Sequence, residues 1–168
     1  MRRVAWVVVV VLAVAALAVP AWGPAVAQPA TVPTPDHDGF GDLAVGAPGE
    51  TVGGRAGAGA VSLVLAGDSG FTGAGGQLFH QGAGGVPGTA EAGDGFGTAV
   101  AVGAFSGGGN ALAVGVPGED VGTAADAGVL DVLYNSGTGL GGGGRQQLTQ
   151  AGAGGAVEPG DRFGAALS

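Results

Sequence analysis

Asp36, Asp38 and Asp42 stand at i, i+2 and i+6 around Gly39. Three carboxylates crowded into a tight turn repel one another unless a cation sits between them. Hard divalent cations take oxygen ligands of this kind, and calcium takes six to eight of them. An EF-hand is one competing reading of Asp-x-Asp-Gly. It fails, because its closing Glu would have to fall where Val45 or Ala47 stands, and no helical pattern flanks the loop. A second competitor is a plain turn, which also favours Asp and Gly.

Other chemistry has less support. Ser62, Ser69, Ser106, Ser136 and Ser168 all lack a Gly-x-Ser-x-Gly elbow. His37 and His80 are the two histidines. His37 lies inside the acidic stretch as a solvated residue, and His80 is expected on the surface of an outer strand. Asp94 and Asp161 each precede a Phe by two residues. Side-chain capping of a turn is the expected role for both, ahead of paired acid and base. No catalytic constellation is visible, so an enzyme is not expected.

The acidic stretch runs directly into Leu43-Ala44-Val45, an apolar run stopped by Gly46 and Pro48. Such a run is a short buried strand. It recurs 69 residues later as Leu112-Ala113-Val114-Gly115-Val116-Pro117. Ala58–Leu65 recurs as Ala127–Tyr134, and Gln77–Gln81 as Gln146–Gln150. Gly93–Val100 recurs as Gly160–Leu167, with Phe96 and Phe163 at matched positions 67 residues apart. Each unit holds four short runs parted by Gly-rich turns. Gly interrupts every run and no helical period emerges, so helical repeats are excluded. The units predict an all-β fold of β-propeller blades, each of four antiparallel strands. A low-complexity Gly/Ala wall protein is the alternative, but it would not keep four strands in register twice. Ala, Gly and Val suit close sheet packing, and Phe96 and Phe163 are expected as anchors between neighbouring blades.

The Phe96-Gly97 and Phe163-Gly164 pairs, with Gly46-Ala47-Pro48, resemble the FG-GAP repeat. That repeat builds the β-propeller of integrin α subunits and of many bacterial exported proteins. The resemblance covers Asp36 to Ser168. It implies a calcium loop between the first and second strands of a blade. Asp36, Asp38 and Asp42 match three of its ligand positions, and Phe40 would supply a backbone carbonyl. The first acidic position falls on Thr34, a departure that implies lower affinity. The corresponding stretch of the second unit, Ala104 to Ala111, has no carboxylate, so no metal is expected there.

The N-terminus carries a different signal. Arg2 and Arg3 precede an apolar run from Val4 to Val19, then Pro20 and an Ala25-Val26-Ala27 cleavage box. This predicts a secretory signal peptide over 1–27, cleaved after Ala27. A membrane anchor would need about 20 apolar residues. The membrane is therefore met only in transit, and the expected location is extracellular. Residues 28–35 hold Pro29, Pro33 and Pro35 and read as an extended leader. The first unit is assigned to 36–102 and the second to 103–168. The strand order is second, third, fourth, first, written twice. Two blades fall short of the four to eight of a closed propeller, so a truncated array is expected, with several chains sharing one ring as the alternative.

Composition narrows the function. Forty of 168 residues are Gly, formal net charge is −8, and there is no Lys and no Cys. Loss of Arg2 and Arg3 with the signal would take the charge to −10. Nucleic-acid binding is disfavoured, since phosphate contacts need Lys or Arg. The expectation is an exported calcium-binding module for adhesion or binding, with an extracellular protein or glycan as ligand and further blades or chains to close the propeller. The alternative is an accessory propeller of a larger secreted hydrolase, esterase- or phospholipase-like, a fold-level analogy.

Overall fold

The computed structural model describes residues 41–105, 109–135 and 140–168. The signal segment, the leader and the loop positions Asp36, Asp38 and Phe40 lie outside the described residues. Among the described residues, seven strands form two antiparallel sheets. The first sheet holds β1 (Leu43–Ala47), β2 (Ala60–Gly67) and β3 (Gly70–Phe79), in the order β1-β2-β3. The second holds β4 (Ala99–Phe105), β5 (Gly109–Val116), β6 (Val129–Asn135) and β7 (Leu140–Leu148), in the order β4-β5-β6-β7. The fold is all-β, as the alternating runs require, and the two sheets are not closed into a ring. One short 3-10 turn, Ala151–Ala153, follows β7.

The internal repeat is also written in backbone hydrogen bonds. Gly59 N–H donates to Glu50 O at 3.0 Å, and Gly128 N–H to Glu119 O at 2.9 Å. Phe96 N–H donates to Ala58 O at 2.9 Å, and Phe163 N–H to Ala127 O at 2.8 Å. Each Phe-Gly pair thus docks on the sheet that precedes it in the chain. The close approach depends on glycine. A Cβ on Gly46 would overlap the Gly97 carbonyl, and one on Gly115 would overlap the Gly164 carbonyl. Gly97 and Gly164 themselves have φ of 89° and 87°, a conformation that side chains rarely tolerate.

The strand pleat sorts residues onto two faces. Register pairs Ala44 with Leu63 and Gly46 with Val61, so these share the face toward the second sheet. On β5, Leu112, Val114 and Val116 point back at the first sheet and are fully buried. Together with Phe79, Phe96, Leu133 and Leu140 they form one continuous core between the sheets. A smaller cluster of Ala111, Ala113 and Val132 lies on the other face of the second sheet, with Leu130, Tyr134, Leu148 and Leu167 half-covering it.

Four expectations are corrected. The run from Leu43 is a strand but not a buried one: Leu43 and Val45 are exposed, because no described sheet covers that face of β1. The expected strand Gln77–Gln81 is the end of a longer one: β3 starts at Gly70 and stops at Phe79. Asp68 and Ser69 turn the chain so tightly, with Gly67 opposite Gly70, that the hairpin extends well before Gln77. Phe163–Leu167 is turn and coil, although its counterpart continues into β4. A strand exists through ladder bonds to a neighbour; β4 has β5 beside it, and no described strand lies beside 165–167. Phe96 is fully buried between the sheets as expected, but Phe163 is only half-buried. The second sheet covers Phe96 from the far side, and no third sheet is described over Phe163.

Candidate functional site

Asp42 is the predicted ligand that the structure describes. It precedes β1, and its Oδ1 accepts the Ala66 N–H from the end of β2 at 2.9 Å. The register explains this contact: Leu43 pairs with Val64, which brings Asp42 beside the last residues of β2. The bond draws on one carboxylate oxygen and fixes the direction of the group at the mouth of the β1–β2 pair. Asp36, Asp38, Phe40, Thr34 and His37 lie outside the described residues. The corresponding edge of the second sheet is the β4–β5 hairpin, where Phe105 faces Gly109. Among the described residues, no three His, Cys, Asp or Glu side chains converge as a metal-binding group.

The two matched aspartates do cap turns. Asp94 Oδ2 accepts the Glu91 N–H, and Asp161 Oδ2 accepts the Glu158 N–H at 2.7 Å. Asp94 is buried, and burial raises its pKa against the opposing effect of the Glu91 N–H, with repulsion from Glu91 and Asp120 adding to the rise. His80 sits just past β3, half-buried, with Nδ1 2.9 Å from Gln81 O. Nδ1–H is the donor in that bond, since a carbonyl can only accept.

A polar seam that the sequence reading missed lies between the sheets. Gln81, buried below the core, donates through Nε2 to Glu119 Oε2 at 2.6 Å. The loop after β5 is tied to the same place, because Gly118 N–H donates to Asp94 O at 2.9 Å. Burial pushes the Glu119 pKa up, the Gln81 bond opposes this, and Asp94, Glu91 and Asp120 add repulsion. Asp131, on β6, has no exposed surface. Its Oδ1 accepts from Gln147 Nε2 at 3.1 Å, while Oδ2 has no hydrogen-bond partner. Burial outweighs the Gln147 bond, Glu119 repulsion adds to it, and the Asp131 pKa is pushed up to about 7. A signal for this residue was present. Asp131 interrupts the apolar run Val129–Leu133, and its counterpart in the first unit is Ser62.

The side-chain hydrogen bonds of the seam join carboxylates to amides. The seam can store a proton and join two sheets. A family model for the FG-GAP repeat matches residues 36–64. The match spans the acidic stretch, β1 and β2 as far as Val64, so the chain carries an FG-GAP repeat there. No curated protein matches the chain.

Proposed function

We propose that this chain is an exported FG-GAP module of propeller blades that binds calcium and presents its loops to an extracellular protein or glycan, without catalysis of its own. The observation that carries this reading is the FG-GAP match at 36–64, which includes the acidic stretch together with the strand pair it feeds. Asp36, Asp38 and Asp42 would hold the cation by carboxylate oxygens and Phe40 by its carbonyl. Asp42 suits such a role. The Ala66 N–H holds its carboxylate in a set direction. The cation would tie the entry of β1 to the end of β2. Its contribution is therefore to the rigidity of the sheet edge and the loops beside it.

Calcium that binds the folded chain but not the unfolded one raises stability by mass action, by about 2.7 kcal/mol at a hundredfold excess over Kd. Thermal unfolding of the full secreted chain in calcium and in chelator measures that rise. Asp38→Ala is expected to remove most of it. Equal melting temperatures with calcium and with chelator would discard the metal. Export is checked separately, by N-terminal sequencing of the released protein, which should begin at Gln28.

A further inference from the structure

The internal repeat assigns a partner to a face that the first sheet leaves open. Leu43 and Val45 on β1 are 39% and 44% exposed, while their counterparts Leu112 and Val114 on β5 are 0% exposed. The residue types are identical, and the difference is what covers them. Leu112 and Val114 pack on the far face of the first sheet, where Val61, Leu63 and Phe79 lie. The second sheet carries the counterpart of that far face. Leu130, Val132 and Leu148 stand where Val61, Leu63 and Phe79 stand one repeat earlier. Leu130, Tyr134 and Leu148 are half-exposed around the buried Val132.

We infer that the exposed β1 face of one chain docks on the outer face of the second sheet of another copy, by the same packing that joins the two sheets within the chain. Both halves of the interface are on one molecule, and they are different surfaces, so the contact is head-to-tail.

The polar groups of the internal seam recur where this docking needs them. Inside the chain, Gln81 Nε2 donates to Glu119, Gly118 N–H to Asp94 O, and Gly97 N–H to Gly115 O. Shifted by one repeat, these become Gln150 to Glu50, Gly49 to Asp161 and Gly164 to Gly46, with the second residue or the first supplied by the neighbouring copy. All six residues keep the required type. One difference favours the contact between copies. The buried carboxylate of the internal seam, Asp131, is replaced on the open face by Ser62, so docking desolvates no charge at that point. The inference stands independently of calcium and of any ligand.

Sedimentation and light scattering of the full secreted chain over a range of concentrations test it. Association that grows with concentration is expected. Val45→Glu blocks one surface and Tyr134→Glu the other, and each variant alone should be monomeric. Mixed, they should form a one-to-one dimer, because each retains the surface that the other has lost. Glu50 is exposed, so Glu50→Arg leaves the fold intact and should weaken assembly by about tenfold or more. The inference is overturned by a chain that stays monomeric at every concentration. Undiminished association of Val45→Glu overturns it too, as does failure of the two folded variants to pair.

Discussion

Asp131 is a carboxylic acid placed where water cannot reach it, in a run that is otherwise apolar. Its folded pKa of about 7 lies above the ordinary carboxylate value that it regains on unfolding. The folded state therefore holds a proton that the unfolded chain has already released. Linkage gives the sign: stability is greatest below the unfolded pKa, near 4, and falls as pH rises through about 7. Asp94 and Glu119 are also raised and push in the same direction. Thermal unfolding at pH 5 and pH 8 should show the lower melting temperature at pH 8. Asp131→Asn keeps an acceptor for Gln147 and removes the charge, so it should flatten that dependence and raise stability at pH 8 by about 1–3 kcal/mol. A variant whose pH profile matches the parent's would show that Asp131 is not the group responsible. Asp161 does the same capping as Asp94 on a more open turn. Loss of the cap by Asp161→Ala should cost about 1 kcal/mol, read as a shift in the denaturant midpoint at unchanged slope.

At the scale of strands and turns, the governing contacts are crossings where two backbones touch. Gly46 on β1 meets Gly97, and Gly97 N–H reaches Gly115 O on β5 at 3.1 Å. A methyl group at Gly46 meets backbone, which cannot swing aside as a side-chain end can. Gly46→Ala should therefore destabilise by about 1–3 kcal/mol. Gly73→Ala, where a Cβ meets nothing within 4 Å, should stay within about 0.5 kcal/mol of the parent. Comparable losses at both positions would deny the crossing its role. Elements of this kind were legible in the sequence, because glycines, apolar runs and their 69-residue spacing are local facts. Exposure was not legible. Leu43 and Leu112 share the context Leu-Ala-Val-Gly, yet one faces solvent and the other is sealed. The same holds for Phe96 and Phe163, where the docking bonds repeat but the covering sheet does not. Burial depends on what lies across the face, and that is information about neighbours. The seam escaped for a related reason: Gln81 and Glu119 are 38 residues apart, and nothing local marks them as partners.

For the whole molecule, the question is whether two sheets make two folding units or one. Repeat proteins can be described as nearly independent units plus an interface term between neighbours. Here the interface term dominates, because the main core belongs to neither sheet alone. Val61, Leu63 and Phe79 come from the first sheet, Leu112, Val114 and Leu133 from the second, and Phe96 from the segment between them. The first sheet has three strands and exposes the other face of β1, so separation would leave it with almost no apolar cover. The two sheets are therefore expected to unfold in one step. Hydrogen exchange tests this directly, since amides that open together share one free energy. The central strands β2 and β5 should show equal protection and lose it at the same denaturant concentration. Phe96→Ala sharpens the test. It removes the largest fully buried side chain of the shared core, at a cost of about 3–5 kcal/mol. That cost should appear undiminished in both β2 and β5, although Phe96 belongs to neither strand. If β5 keeps its protection while β2 loses its own, the second sheet is stable alone, and the chain is two blades in contact in place of one cooperative core.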